Sequence, residues 1–234
     1  MNSSQGTLRL IGRPVHPGTA QGPARLITPH DLVSLHHSEH HGESDRQLKA
    51  SLRSSDPPIH NLSDLTQLWG EQTEHQALLE VTFWSAVNEV LDTRGSGIIY
   101  AVASAISRYV RSSIFSIDTA SNEGFHELVS LGQSVLAGLL RIRHSLNADS
   151  PPYIVLAPSI SLPDAVSLDP PILGFGLGTS VDAKLKIAAD LLGVPMVSGL
   201  EGLEDHWPQL HFVRLDGTRG ILEAVSDCDP NRSP

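Results

Sequence analysis

Apolar residues recur at helical spacing through the middle of the chain and gather into short extended runs nearer its C-terminus. A short helix is predicted around Glu43 to Ser54, ended by Asp56-Pro57-Pro58. Ser63 or Asp64 can then cap a long segment carrying Leu65, Leu68, Trp69, Leu78, Leu79, Val81, Trp84, Val87, Val90 and Leu91, which Gly95 and Gly97 end. A third helix carries Ile98, Ile99, Val102, Ile106, Tyr109 and Val110. A fourth, from about Asn122 to Arg143, carries Phe125, Leu128, Val129, Leu131, Val135, Leu136, Leu139 and Leu140. With short connections between them, an antiparallel four-helix bundle over residues 31–148 is the expected packing.

The segment Ile172 to Gly199 switches pattern. Ile172, Leu173 and Phe175 form a short apolar run, Gly174, Gly176 and Gly178 open a turn, and Thr179 or Ser180 can cap a helix from about Val181 to Leu192. Leu185, Ala188, Ala189 and Leu192 share one face of it, and Gly193 stops it before Val194-Pro195 begins another strand. A helix start behind a glycine turn can seat a phosphate, because unpaired N–H groups and the helix dipole both favour an anion. Gly178, Thr179, Ser180 and Lys184 are the candidates for such a seat. The spacing is wrong for a dinucleotide turn: the third glycine follows the second by two residues rather than three, and no acidic residue is placed for a ribose. A GxxxxGK[ST] phosphate loop is absent. A tight strand-to-helix connection would itself also call for these glycines.

Charge and composition narrow the function classes. Sixteen basic and 26 acidic residues give a net charge of −10, which disfavours nucleic acid as a partner and suits a basic protein. The lone cysteine, Cys228, allows no internal disulfide, and a reducing compartment is expected. The opening MNSSQGTLRL lacks a basic region followed by a long apolar stretch, and no run reaches 18 apolar residues. A cytoplasmic protein without membrane contact is therefore expected. No cofactor is indicated.

The histidines offer other chemistry. His36, His37, His40 and His41, in HHSEHH with Glu39 inside and His30 before it, could share a metal at i and i+4 in a helix. The segment is polar and lacks a closed ligand set, so adventitious surface binding is the competing account. His16 lies in a Val-His-Pro-Gly turn, where capping is the simpler role, and His206 and His211 flank Trp207.

Residues 172–199 resemble the swivelling phosphohistidine domain of phosphoenolpyruvate-utilising enzymes, whose pattern is GF, a spacer, GG-x-x-SH-x-x-I-x-A-R, a proline and a closing glycine. Gly174-Phe175, Ile187, Ala189, Pro195 and Gly199 fall into that register. Upstream, Ile154-Val155-Leu156 followed by Pro163-Asp164-Ala165 and Leu168 is similar to the strand and T-P-S-E-T-x-x-L run of the same family. The stretch Gly12 to Ile27, GRPVHPGTAQGPARLI, resembles the G-x-x-x-S-P-G-x-A-x-G-x-A signature opening enzyme I of the phosphoenolpyruvate:sugar phosphotransferase system.

The resemblance implies an α/β chain: a swivelling β/β/α phosphohistidine-like domain from residues 8–27 and 153–225, an inserted helical domain at 31–148, and flexible ends at 1–7 and 228–234. It also implies docking of a histidine-containing phosphocarrier protein on the helical domain, where Glu71, Glu74, Glu80 and Glu89 would place negative charge. The departures fall on the chemistry. Counted back from Pro195, the phosphorylated histidine's place is taken by Lys184 and its serine's by Ala183; aligned on Thr179-Ser180, the place is taken by Val181. The family's arginine becomes Asp190, an anion where a phosphate would want a cation. The charged pair before I-G-x-R-L becomes Val129-Ser130. A lysine ammonium has no lone pair with which to capture phosphorus. The phosphoenolpyruvate barrel of this family would itself need about 250 residues, more than the 234 here.

The reading that follows is a degenerate enzyme I N-terminal half, related to a phosphotransferase but inactive alone, that acts by binding or regulating a phosphotransferase-system protein. One alternative is an active component whose phosphoacceptor is His16, His206 or His211. A further one is metal binding by HHSEHH.

Overall fold

The computed structural model describes residues 8–32, 50, 74–94, 97–115, 119–146, 151–169, 171–181 and 183–225. Of the helix expected around Glu43 to Ser54 only Ala50 is described, and the start of the long segment with Trp69, the HHSEHH histidines and Cys228 lie outside the described residues. The helices are α1 (Glu74–Arg94), α2 (Ile98–Phe115), α3 (Thr119–Leu146), α4 (Leu162–Ser167) and α5 (Ala183–Leu192). The strands are β1 (Arg9–Ile11), β2 (Arg13–His16), β3 (Thr19–Leu26), β4 (Tyr153–Ala157), β5 (Ile172–Leu177), β6 (Met196–Ser198), β7 (Phe212–Asp216) and β8 (Ile221–Ala224). The chain is a mixed α/β protein. Its contacts divide it into two units, Met1–Asp31 with Asp149–Ser161 and Asp169–Pro234, and Leu32–Ala148 with Leu162–Leu168.

In the first unit one eight-stranded sheet runs in the order β1-β8-β7-β3-β4-β5-β6-β2. Strands β3, β4, β5 and β6 pair in parallel, and the other pairings are antiparallel. The two ends of this order, β1 and β2, are consecutive in the chain with Gly12 alone between them, so one bent segment joins the two ends of the sheet into a closed circuit, β1 pairing with β8 and β2 with β6. Gly12 donates its N–H to the Gly220 carbonyl at 2.8 Å. A Cβ there would fall 2.9 Å from Val197 Cγ1 and run into the Ser198 carbonyl, which is why the crossing takes glycine.

The patterning of each strand follows from this closure. Along β7, Val213 and Leu215 face inward while Arg214 faces out, the alternation of an antiparallel strand with one wet face. Along β4, Ile154, Val155, Leu156 and Ala157 are all buried, as expected of a parallel strand covered on both faces. Leu10, Ile154, Leu156, Val197, Leu200, Leu203, Leu210, Val213, Leu215 and Leu222 form the core.

In the second unit α1, α2 and α3 pack against one another around Phe83, Val87, Val102, Ile106, Val135, Leu136 and Leu139, all fully buried. Gly132 makes the close approach possible: a Cβ there would sit 2.6 Å from Ile106 Cγ1 and 2.8 Å from Phe83 Cε2. Tyr109 stacks on Phe125 with ring centroids 6.4 Å apart and donates its hydroxyl to the Thr82 carbonyl at 3.1 Å. The buried Arg143 guanidinium reaches from α3 to α4, where Nη2 donates to the Val166 carbonyl at 2.6 Å.

Two helices extend past their periodic cores. The last apolar residue assigned to the third helix is Val110, and the helix runs to Phe115; the fourth is expected from about Asn122 to Arg143, and the helix spans Thr119–Leu146. Only the buried turns carry apolar residues at regular spacing, so periodicity underestimates length. Val81, read as part of the apolar stripe, is 68% exposed.

Candidate functional site

The turn between β5 and α5 is where the sequence places phosphate chemistry. Strand β5 delivers it: Phe175 and Leu177 are buried, and Phe175 donates its N–H to the Pro195 carbonyl at 3.0 Å. The chain then turns through Gly178, Thr179, Ser180 and Val181 into α5, described from Ala183 onward. Leu185, Ala188 and Ala189 are buried as the spacing predicts, joined by Ile187, whereas Leu192 is only half-buried. Gly193 ends the helix at φ 66°, the left-handed position that favours glycine.

Of the three glycines expected to open the turn, Gly174 and Gly176 lie inside β5, whose ladder continues to Leu177, and only Gly178 is in the turn; each has a packing reason. A Cβ on Gly174 would meet Leu215 Cδ2 at 2.7 Å and the Pro195 carbonyl oxygen at 3.0 Å. One on Gly176 would meet Leu156 Cδ2 at 2.7 Å, and one on Gly178 would press on the Pro158 carbonyl oxygen at 3.3 Å. The backbone groups are committed as well. Gly178 donates its N–H to the Ala157 carbonyl at 3.0 Å and Thr179 donates to the Pro158 carbonyl at 2.9 Å. On the other side, the Thr179 carbonyl accepts from Gly199 N–H at 3.0 Å and the Leu177 carbonyl from Leu200 N–H at 2.9 Å. Two of the amides that would cradle an anion are therefore already paired with the protein's own carbonyls. Any anion at this turn falls to the start of α5, with half-buried Lys184 nearby in sequence and exposed Ser180 before it.

His16, His206 and His211 have separate settings. His16 ends β2, beside an irregularity in its pairing with β6 between Pro14 and His16. Its Nε2 lies 3.5 Å from Asp190 Oδ1 on α5, with the imidazole 22% and the carboxylate 51% exposed. Its Nδ1 is buried without a hydrogen-bond partner. Asp190 is six residues past Lys184, which places this contact about 9 Å along the helix from the position where the histidine of the phosphohistidine pattern would stand. His206 is half-buried in the loop after β6; its N–H donates to the Gly202 carbonyl at 3.2 Å, and a Cβ on Gly202 would lie 3.5 Å from the ring's Cδ2. His211 is exposed just before β7, its carbonyl accepting from Ala24 N–H at 2.8 Å. The meeting of His16 with Asp190 had no signal in the sequence, because the two are distant along the chain and share no spacing.

In the helical unit, Glu89 does not stand as a free negative charge. Arg108 donates Nη1 to Glu89 Oε2 at 2.6 Å, and this hydrogen bond with the guanidinium charge holds the Glu89 carboxyl below the usual carboxylate range and raises Arg108. The side chains of Glu71, Glu74 and Glu80 lie outside the described ones. Among the described residues no cluster of three or more His, Cys, Asp or Glu could hold a metal, and no helix is long and apolar enough to cross a membrane.

No protein-family model matches the chain, and no curated protein matches it. Solved structures do align. A solution NMR structure of Enzyme I (nEIt) shares 18% identity over 93% of this chain and 94% of its own, with a TM-score of 0.37. An N-terminal domain of Enzyme 1 - Nitrogen shares 17% identity over 92% of this chain and 93% of its own, with a TM-score of 0.40.

Proposed function

We propose that this chain is a degenerate counterpart of the N-terminal half of enzyme I that carries no phosphohistidine and acts by binding a phosphotransferase-system protein. The observation that carries the reading is the β5–α5 turn: residues 178–186 contain no histidine, and the Gly178 and Thr179 amides are spent on the Ala157 and Pro158 carbonyls. A phosphoryl group needs an imidazole lone pair to capture it and donors to hold it, and this turn supplies neither at those positions. Lys184 or Val181 stands where the ring would be, and Asp190 adds negative charge further along the helix.

In this reading residues 8–27 and 153–225 form the swivelling β/β/α domain, residues 31–148 form the inserted helical bundle, and the protein works in the cytoplasm. Its partner is a histidine-containing phosphocarrier protein or another component of the same system. Titrating the full chain with an unphosphorylated phosphocarrier protein tests this. Saturable binding, with chemical-shift changes confined to the helical unit, is expected. No change at any concentration would remove the partner.

One observation favours a second reading. His16 meets the same helix that the turn begins, so a displaced phosphoacceptor at His16 is that alternative, with the Asp190 carboxylate facing its Nε2 and with Nδ1 buried counting against it. His206 and His211 remain further alternatives, and the HHSEHH metal reading rests on residues outside those described.

A further inference from the structure

We draw no further inference here: the strongest candidate, the outward face of strands β1, β8, β7 and β3, which carries exposed Ile11 and Arg9 on β1, Arg214 on β7 and Arg25 on β3, is an unpartnered sheet face, and nothing in the structure shows what covers it.

Discussion

The His16 imidazole, at the end of the strand that closes the sheet, reaches the Asp190 carboxylate on α5, with Nε2 and Oδ1 3.5 Å apart. The contact gives Asp190 a structural use, tying β2 to the helix it packs against. With the carboxylate 51% exposed, water screens the interaction. A double-mutant cycle of His16→Ala and Asp190→Asn, followed by urea unfolding, is expected to return a coupling of at most about 1 kcal/mol. A coupling of several kcal/mol would mean the pair is far better shielded than its exposure implies.

Glycines separate into those the packing requires and those it does not. At Gly217 a Cβ would run into the His16 carbonyl oxygen and lie 2.9 Å from Pro195 Cβ. Gly217→Ala should therefore lose about 3 kcal/mol or more, read as a lower unfolding midpoint or as insoluble protein. At Gly124, inside α3, a Cβ meets nothing within 4 Å. Gly124→Ala should instead gain about 0.5–1 kcal/mol.

Gly132 sits where α3 meets α1 and α2. Gly132→Ala pushes a methyl into Ile106 Cγ1 and Phe83 Cε2, both on fully buried side chains. A loss of about 1–3 kcal/mol is expected, measured by thermal unfolding with far-UV circular dichroism, with helix content kept.

Acid should loosen the segment that leaves β3. The Thr28 hydroxyl donates to Asp31 Oδ2 at 2.6 Å and the Thr28 N–H donates to the same oxygen at 2.8 Å. These two bonds hold the Asp31 carboxyl below its ordinary value of 3.8. Because the folded value is the lower one, the stabilisation is complete above the unfolded value and disappears as pH falls through the folded one. Thr28→Val should cost about 1 kcal/mol at neutral pH. The gap from the natural protein should narrow as pH falls below the ordinary carboxyl value of 3.8. A gap that stays constant across that range would show that the carboxylate is not what the threonine serves.

The sequence makes the start of the strand at Ile172 and the stop at Gly193 legible, because an apolar run and a glycine at φ 66° each have a direct local cause, but not that the strand runs through Gly174 and Gly176 to Leu177. The purpose of Gly174, Gly176 and Gly178 is not legible in the same way. Glycines that open an anion site and glycines that make room for Leu215, Leu156 and Pro158 are identical letters, and only the neighbours across the fold tell them apart. Helix α4, six residues with Pro163 in its first turn, is too short to show a period. The β7–β8 hairpin turns on Asp216, whose Oδ1 accepts from Thr218 N–H at 3.1 Å and Arg219 N–H at 2.9 Å, a turn whose signal is confined to a few residues. The helices of the second unit are the most readable part, since their burial repeats over several turns. Their ends and the exposure of Val81 depend on what packs against them.

Whether this chain captures phosphate can be measured directly. The full chain is incubated with active enzyme I, phosphocarrier protein and phosphoenolpyruvate, then examined at neutral pH by mass spectrometry, with the phosphocarrier's own phosphohistidine as the internal control. A phosphorylated phosphocarrier and no acid-labile phosphate on this chain are expected. Phosphate on His16, His206 or His211 would contradict it and make the chain an active transfer component.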